Sequence, residues 1–447
     1  MSLETLAQKI EYDLSMINYP PKPWRFEDEG ILDVAIIGAG MAGLTAAFAL
    51  LKLGVSKIKI FDENEEGKEG PWITYARMVT LRSPKQVMGP ALGIPSLTFQ
   101  SWFEAQHGSS AWEDLGKIPR QKWMEYLIWF RKVLKLPVQN ETKLLSIAPL
   151  DSHIKLHLSN ETVLTHKVVL ATGRSGYGGP EIPDFIRKIP KSRWAHTNEL
   201  IDFASLKEKS VAIVGGGDAG FDAARIALEH HAKSADLFIR RSRLPNTNPA
   251  RELFFPGCLL GYSSLTDEEK WKIVSHVFDR GTTPPRETLE GISKYPNFHF
   301  HANVDAEKIL DQYDYIILGT GLAVDVTKQP ELKPFMNDIL LWKDKGFNDH
   351  PQMAHFPYLG RHFEFLEKKK GSAPRLKDIY CFNYGSYLSL ESLGTEIPTI
   401  PFGAERLANG IATDFFVKNS QRHIEKLKKY NDPEYRYEEF SFFTSEI

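Results

Sequence analysis

The chain has 447 residues, of which 42% are hydrophobic and 25% charged, a composition typical of a globular protein with more than one core. A formal net charge of −2 argues against a nucleic-acid partner and against a membrane surface, because no basic excess is available to meet phosphates. The two cysteines, Cys258 and Cys381, cannot build a disulfide framework and do not form a C-x-x-C pair, which disfavours a thiol–disulfide reductase. Residues 1–15 lack the basic-then-apolar order of a signal peptide, and no apolar run reaches membrane length, so we expect a cytoplasmic protein.

The most informative stretch is residues 31–62, which has the pattern of a dinucleotide-binding unit. A β-branched strand runs directly into G-x-G-x-x-G, an apolar helix follows, and a second apolar strand ends in an acid. Gly38 permits the tight turn, Gly40 lets the backbone approach a pyrophosphate, and Gly43 lets the helix pack close to the strand. Asp62 is placed to accept hydrogen bonds from a ribose. The predicted cofactor contacts of this unit are Gly38, Gly40, Met41, Ala42, Gly43, Asp62 and Glu63. The alternative is a glycine-rich turn in an unrelated α/β protein.

Regular structure is expected again after a loop region rich in proline and glycine, residues 78–99. The apolar spacing predicts two helices, a strand pair and a buried strand, over residues 99–106, 120–134, 154–158 with 162–165, and 167–170. The buried strand ends in the turn Ala171-Thr172-Gly173, and we include Thr172 and Gly173 among the candidate cofactor contacts.

The pattern of the first unit then repeats over residues 210–243. A β-branched strand leads into a second G-x-G-x-x-G, followed by an apolar helix and a strand that ends on arginines. A guanidinium pairs with a 2′-phosphate and stacks on adenine, so this unit predicts an NADP site; a solvated basic turn is the alternative. Asp218 counts against the site unless it faces away, since a carboxylate beside a pyrophosphate is unfavourable. The candidate contacts are Gly215, Gly217, Asp218, Ala219, Gly220, Arg240, Arg241 and Arg243.

A third buried strand, residues 313–318, ends in Gly319-Thr320-Gly321 and echoes the turn at Thr172. The two turns mark where the chain would leave and re-enter the first unit, and Thr320 and Gly321 are further candidate contacts. Beyond them the pattern predicts a strand and a helix, at residues 379–384 and 401–418.

In this order of motifs the chain resembles the class B flavoprotein monooxygenases, the group of two-dinucleotide flavoproteins that includes flavin-containing, Baeyer–Villiger and N-hydroxylating monooxygenases. Gly70-Pro71-Trp72 is similar to their G-G-x-W, which implies that Trp72 lies beside the flavin. Residues 75–85, with Arg82 and Ser83, are similar to the stretch that faces the isoalloxazine. His196 matches the histidine of their linker fingerprint, whose leading Phe and Gly are missing here, and Ser83 stands where these enzymes usually carry asparagine.

The resemblance covers most of residues 31–325 and implies an α/β fold with two Rossmann-like dinucleotide-binding domains, one for FAD and one for NADP. We expect an N-terminal extension over residues 1–30, a discontinuous FAD-binding domain over 31–175 and 310–447, and an NADP-binding domain inserted at 205–310. The active site would then lie in the cleft between the domains.

The resemblance also implies the chemistry: NADPH reduces FAD, O₂ gives a C4a-peroxyflavin, and one oxygen enters a small organic substrate by N- or S-oxidation or a Baeyer–Villiger step. An NADPH oxidase or electron-transfer reductase is one alternative, and a non-enzymatic flavoprotein that senses NADP(H) is another. The candidate catalytic residues are Arg82, Ser83 and His196, with Arg82 also a candidate cofactor contact. A surface arginine and a histidine hydrogen-bonded within a loop are the alternatives.

No metal site is expected. His299 and His301 lie two residues apart on one predicted strand but have no neighbouring Cys or carboxylate in the sequence. The expected partners are a small-molecule substrate and O₂, with no nucleic acid and no membrane, and a homodimer is left open.

Overall fold

The computed structural model describes residues 2–26, 28–281, 283–308, 310–440 and 442. Within them the strands are β1 (Ile31–Ile37), β2 (Ile58–Phe61), β3 (Val138–Gln139), β4 (Leu144–Pro149), β5 (Ile154–Leu158), β6 (Thr162–Leu170), β7 (Gly178–Pro180), β8 (Trp194–His196), β9 (Ser210–Val214), β10 (Ser234–Ile239), β11 (Phe298–Ala302), β12 (Tyr315–Leu318), β13 (Leu322–Val324) and β14 (Ile379–Cys381).

The helices of the described residues lie mostly between parallel strands, as in βαβ units. They are α1 (Leu3–Met16), α2 (Met41–Lys52), α3 (Phe99–Asp114), α4 (Arg120–Val133), α5 (Asp218–Glu229), α6 (Pro256–Gly261), α7 (Asp267–Arg280), α8 (Arg286–Ile292), α9 (Tyr387–Leu390), α10 (Ile400–Lys418) and α11 (Ser420–Lys428). Short 3₁₀ turns occupy many of the connections.

The first sheet has the strand order β3-β2-β1-β6-β5-β4. The four strands from β3 to β6 are parallel, and β5 and β4 continue the sheet as antiparallel neighbours. The first half of β6 pairs with β5, whereas its second half pairs in parallel with β14. A strand from residues 379–381 therefore completes a sheet that begins at residue 31.

A buried core lies on each face of the first sheet. On one face α2 is buried along residues 41–50 and packs against α10, with α1, α3 and α4 contributing to the same core. The burial of α2 follows from its sequence, because a helix that is apolar on all sides has to be covered on all sides. On the other face the core is formed by β4, β5 and the segment 326–376.

The second sheet contains the strands β11-β10-β9-β12-β8, all parallel. Helices α5 and α8 cover one of its faces, where the core includes Phe221 and Ile292. An antiparallel pair, β7 with β13, lies where the chain passes between the two sheets and returns. Two sheets with mostly parallel strands, each containing a strand–glycine loop–helix unit, confirm the predicted fold class.

The predicted helices are present with shifted bounds, and the two strands predicted at 162–165 and 167–170 are one continuous strand, β6. The helix predicted at 120–134 is Arg120–Val133, the helix predicted at 401–418 begins at Ile400, and the one predicted at 99–106 extends to Asp114. The longer third helix contains a break at Gly108, whose φ of +83° is not helical. Among the described helices, none combines the length and the hydropathy that a membrane crossing requires.

Candidate functional site

The first glycine loop has the geometry of a phosphate-binding turn. Gly38 has a φ of +103°, and a Cβ on it would lie 2.5 Å from the carbonyl oxygen of Ala171 in the neighbouring strand. A Cβ on Gly43 would lie 1.8 Å from the carbonyl oxygen of Gly38. Gly40 differs, because the nearest atom to its Cβ position is the Cα of Gly70 at 3.8 Å. Gly38 and Gly43 are thus required by the protein itself, whereas a Cβ at Gly40 would make only ordinary contact, with Gly70.

Asp62 holds this loop together. Its Oδ2 accepts the backbone N–H of Ala39 at 2.7 Å, and its Oδ1 accepts the backbone N–H of Asn64 at 2.9 Å. Glu63 is more exposed and pairs with Lys143 at 2.7 Å. The start of the following helix, with Met41 and Ala42 both buried, presents its free backbone N–H groups beside Gly40.

Trp72 lies beside the same loop. Its side chain is buried, packs edge-on against Trp123 with ring centroids 6.3 Å apart, and approaches the Cβ position of Gly70 to 3.9 Å. Arg120 donates to the Trp72 carbonyl and so fixes the segment.

The turn after β6 is tied to the C-terminal part of the chain. Thr172 Oγ1 accepts a hydrogen bond from Asn383 Nδ2 at 3.0 Å, and the carbonyl of Gly173 accepts the backbone N–H of Tyr384 at 3.2 Å. The segment after β14 therefore closes one end of the first loop's cleft.

The second glycine loop repeats the construction of the first. Gly215 has a φ of +117°, and a Cβ on it would lie 2.2 Å from the carbonyl oxygen of Gly319. A Cβ on Gly220 would lie 2.4 Å from the carbonyl oxygen of Gly215. The Cβ position of Gly217 has no atom of the described residues within 4 Å apart from its own chain neighbours, and Ala219 is exposed. The two loops therefore have matching closed and open positions.

Arg82 bridges the two units. Its Nη1 lies 2.5 Å from Asp218 Oδ2, and its Nη2 lies 2.8 Å from Asp222 Oδ2, both in the first turns of α5. Burial raises the pKa of both carboxyls, and the Arg82 guanidinium opposes that rise. Asp218 thus faces an arginine of the other unit, and Arg82 Nε and Asp218 Oδ1 remain without a hydrogen-bond partner among the described residues.

The three arginines after β10 are not equivalent. Arg241 donates to the backbone carbonyls of Asp279 and Arg280 at 3.0 and 2.9 Å and so caps the end of α7. Arg240 and Arg243 are exposed, and in the part of the chain that the structure describes neither takes part in a hydrogen bond or an ion pair.

His196 ends β8, at the passage between the sheets. Its ring is 1% exposed, and its Nδ1 accepts the backbone N–H of Asn198 at 3.0 Å. Burial lowers the pKa of His196 to about 4, so the ring is neutral at pH 7. Because Nδ1 is the acceptor, the ring proton is on Nε2, which makes no hydrogen bond of full geometry in the described chain, although the Gly321 backbone is close enough to raise the pKa of the ring. The buried Ser83 Oγ is likewise unpaired there.

The returning turn after β12 is anchored to the same passage. Thr320 Oγ1 donates to the carbonyl of Glu181, whose own N–H donates to the carbonyl of Gly321 at 3.0 Å. Gly321 has a φ of +88°, which glycine adopts without strain.

Two arginines that sequence reasoning missed lie in this region. Arg77 is buried and donates to the carbonyls of Tyr75, Thr197 and Glu199, so it fastens the loop that carries Arg82 to the linker after β8. Burial lowers the pKa of the Arg77 guanidinium to about 10. No motif marks Arg77 in the sequence.

Arg174 directly follows the Thr172–Gly173 turn, and its position next to a candidate cofactor-binding turn could have identified it from the sequence. Its side chain is 61% exposed and pairs with Glu396 at 3.2 Å, and its guanidinium carbon lies 5.9 Å from the centroid of the Tyr384 ring. Asp218 is near enough to affect its charge. Arg174 therefore lies between the turn after β6, the Tyr384 segment and the start of α5.

The side chains that could ligate a metal ion are dispersed in the described residues. The described residues contain no group of three or more His, Cys, Asp or Glu side chains arranged to hold a metal ion. His301 instead contacts Asp236 at 3.0 Å on the edge strand β11.

Two matched glycine loops, each after a parallel strand of its own sheet, are the construction of a two-dinucleotide flavoprotein oxidoreductase. Residues 35–254 match the family described as pyridine nucleotide-disulphide oxidoreductase. The FAD-dependent urate hydroxylase of Xanthomonas campestris pv. campestris is 35% identical to the chain, over 97% of the chain and 98% of that protein. The chain belongs to the family of this hydroxylase, and it is an FAD- and NADPH-dependent flavin monooxygenase.

Solved structures agree in fold. The reduced form of ornithine hydroxylase from Pseudomonas aeruginosa has a TM-score of 0.66 at 17% identity and covers 86% of this chain and 99% of that one. Ornithine N-hydroxylase from Kutzneria sp. 744, with reduced FAD, NADP⁺ and L-ornithine, has a TM-score of 0.63 at 14% identity, with coverage of 86% and 99%. These identities bear on the fold, and the substrates of those enzymes are theirs alone.

Proposed function

We propose that the chain is a urate hydroxylase, which uses NADPH and O₂ to place one oxygen atom on urate and releases the other as water. The observation that carries this proposal is the similarity to a urate hydroxylase along nearly the full length of both chains. Bound FAD supplies the redox chemistry, since it takes hydride from a nicotinamide and reacts in its reduced form with O₂. The chain's own residues bind and orient the cofactors and the substrate.

For FAD, we propose a site in the discontinuous domain of residues 31–175 and 310–447. The pyrophosphate would lie on the N-terminus of α2, beside Gly40 and Gly70, where backbone N–H groups meet the negative charge. Asp62 would lie at the adenosine end of the site and Thr172 at the flavin end. The fold requires Gly38 and Gly43 but would admit a Cβ at Gly40, and the glycine at that position supports this fit.

For NADPH, we propose a site in residues 205–310. The pyrophosphate would lie at Gly217, and Arg240 with Arg243 would take the 2′-phosphate, because both guanidinium groups are exposed at the end of β10. Arg82 would neutralise Asp218, so that the carboxylate at the start of α5 does not repel the phosphates.

An Arg240→Ala variant tests the nucleotide site. Charge-assisted hydrogen bonds to phosphate contribute about 1.5–3 kcal/mol each, so we expect the apparent KM for NADPH to rise about ten- to a hundredfold. The KM for NADH should stay nearly constant, because NADH has no 2′-phosphate. The measurement is the rate of flavin reduction against the concentration of each nucleotide.

Arg187→Ala is the matched control, since Arg187 is an exposed arginine that pairs only with Asp184 among its described neighbours. Its KM values should equal those of the unmodified protein. Equal use of NADH and NADPH by the unmodified protein would show that Arg240 and Arg243 form only a solvated turn.

We propose that His196 and Ser83 act as hydrogen-bond donors to the bound cofactors. The unpaired Nε2–H of His196 and the unpaired Ser83 hydroxyl are buried polar groups, and such groups are costly unless a ligand satisfies them. Arg77 would keep both in place by fastening the Ser83 loop to the linker that carries His196.

The cleft also suits urate, which is a flat heteroaromatic anion at neutral pH. Arg174 presents a planar guanidinium beside the Tyr384 ring, and these two groups can meet an anion and stack on its ring. L-Ornithine, the compound in one of the structural neighbours, carries a cationic amine that would bring a second cation next to Arg174.

The decisive experiment compares urate with L-ornithine in the FAD-loaded protein. With urate we expect NADPH oxidation to accelerate, substrate absorbance in the ultraviolet to fall, and hydrogen peroxide to account for only a small part of the O₂ consumed. With L-ornithine we expect no acceleration. Hydroxylation of L-ornithine and not of urate would replace the proposal by N-hydroxylation, and full conversion of O₂ to hydrogen peroxide with either compound would contradict both.

A further inference from the structure

A strained residue, Glu391, lies directly after α9, in the part of the chain that follows β14. Glu391 follows α9 and has φ +60° and ψ −157°, a backbone conformation that is nearly exclusive to glycine. A glutamate held in this conformation has to be stabilised by its surroundings, and strain of this kind concentrates at functional sites.

The Glu391 side chain is buried but incompletely paired. The residue is 1% exposed, and its Oε2 accepts a hydrogen bond from Ser392 Oγ. Its Oε1 is buried without a hydrogen-bond partner within the described residues. A carboxyl group that is nine-tenths or more buried and has one unpaired oxygen is available to accept a proton or to bind a ligand.

The groups around Glu391 connect it to the cleft. Tyr387 is its neighbour on α9 and stacks on Tyr384 with ring centroids 5.8 Å apart, and Tyr384 in turn lies under the guanidinium of Arg174. Glu396, the ion-pair partner of Arg174, is also close enough to affect Glu391. The titratable groups facing Glu391 are Cys258, Tyr262, Tyr387 and Glu396.

We propose that Glu391 is the proton acceptor of the hydroxylation, in a substrate subsite that it forms with Arg174 and Tyr387. The assignment rests on the urate hydroxylation proposed above. Arg174 would hold the urate anion, and the Tyr384 ring, on which Tyr387 stacks, would lie against it. The free Oε1 of Glu391 would take a ring N–H proton.

In this step the π electron pair of a ring C=C bond forms the new C–O bond. The electron pair of the O–O bond that breaks stays with the oxygen that is released as water. The electron pair of the N–H bond forms a C=N double bond as its proton moves to Glu391. Two electrons and one hydrogen come from NADPH, and one proton comes from solvent. Together with the N–H proton, these hydrogens end in the new hydroxyl group and in one molecule of water.

Burial raises the pKa of Glu391 to about 7, the hydrogen bonds from Ser392 lower it, and the charge of Glu396 raises it. Proton acceptance needs the carboxylate, so kcat/KM for urate should be full above this pKa and fall as the pH drops through about 7. General-base catalysis contributes about 10²- to 10⁴-fold, so Glu391→Gln should lower kcat by about a hundredfold or more and remove this acid limb. FAD content and the rate of flavin reduction by NADPH should be unchanged.

Ser392→Ala supplies an independent test. Loss of the Ser392 Oγ–H donor removes a bond that favours the carboxylate, so the acid limb of the pH profile should move to higher pH. Glu405→Gln is the matched control, because Glu405 is an exposed glutamate of α10 that pairs with Lys52 away from the cleft; its profile should not move.

The outcomes separate this assignment from the function on which it rests. If the unmodified protein converts no urate, the proposed function fails and the assignment with it. If it converts urate while Glu391→Gln keeps its kcat and its acid limb, the assignment alone is overturned. Should Glu391→Gln lose its flavin, Ser392→Ala decides: an unmoved acid limb overturns the assignment.

Discussion

A Gly43→Ala variant is expected to be produced without flavin and with strongly reduced stability. The added Cβ would lie 1.8 Å from the carbonyl oxygen of Gly38, so α2 has to move away from β1 and the loop between them changes shape. Overpacking a well-packed site costs about 1–3 kcal/mol, and loss of bound FAD removes further stabilisation because a ligand stabilises the state that binds it. The ratio of visible to ultraviolet absorbance and a thermal unfolding curve measure the two effects.

A Gly40→Val variant distinguishes the loss of FAD binding from a loss of stability caused by poor packing of the loop. The Cβ position of Gly40 has its nearest neighbour at 3.8 Å, which is ordinary contact, so the apoprotein should unfold at nearly the same temperature as unmodified apoprotein. It should nevertheless bind no FAD, because the valine side chain would occupy the proposed pyrophosphate space. Normal flavin content in Gly40→Val would move the FAD site elsewhere, and a stable, flavin-containing Gly43→Ala would contradict the loop geometry.

The second large effect concerns Arg82. Arg82→Ala removes the counter-ion of Asp218 and Asp222 from the junction of the two units. Removing one partner of a buried ion pair costs about 3–5 kcal/mol, and the 34% exposure of the Arg82 side chain reduces this to about 2–3 kcal/mol. We also expect slower flavin reduction by NADPH, because the bridge fixes the two units relative to each other. Urea unfolding at pH 7 and single-turnover reduction check the two effects.

The stability loss in Arg82→Ala should depend on pH. Burial raises the pKa of both carboxyls in the folded protein, so the folded state holds more protons than the unfolded chain between the unfolded and the folded pKa. Stability therefore falls as the pH rises through that window, and without Arg82 the fall is steeper. The loss should be small near pH 4, where the unfolded chain also protonates its carboxyls, and larger at pH 7. Arg82→Ala with Asp222→Asn should recover part of it, and a loss independent of pH would contradict the charge argument.

The first part of the fold that the sequence predicts well is the pair of glycine loops. Their spacing, the strands before them and the helices after them are local features, and each local preference agrees with the final fold. The turns after β6 and β12 were also visible as buried strands ending in glycine. The spacing does not show which atoms exclude a side chain at Gly38 and Gly215. Those atoms are the carbonyl oxygens of Ala171 and Gly319, which are distant in the chain.

The pairing of Arg82 with Asp218 and Asp222 was not predictable from sequence, because it joins residues 136 and 140 positions apart on two different units. The sequence did show that a carboxylate at the start of α5 is unfavourable beside a pyrophosphate unless it faces away, but it did not predict a neutralising arginine. Long-range ion pairs depend on the orientation of the two sheets, and the local pattern does not specify that orientation.

Arg174 and Glu391 illustrate two different reasons for a missed residue. Arg174 directly follows a turn that the sequence analysis identified, so it could have been named as a site residue from the sequence but was not. Glu391 has no motif around it, and its importance rests on a backbone conformation and a burial that no residue pattern encodes. Its assignment to catalysis, like the roles of His196 and Ser83, stays a prediction.

The late arrival of β14 has a consequence for biosynthesis. Every strand of the second sheet has left the ribosome once residue 318 is released, whereas the first sheet still lacks residues 379–381 and the helix α10 that covers α2. At about 5–20 residues per second, the 100 residues from Leu318 to Lys418 take about 5–20 s to make. We therefore expect the second sheet to fold while the first sheet, into which it is inserted, is still incomplete. FAD should then bind to the nascent polypeptide only near the end of translation.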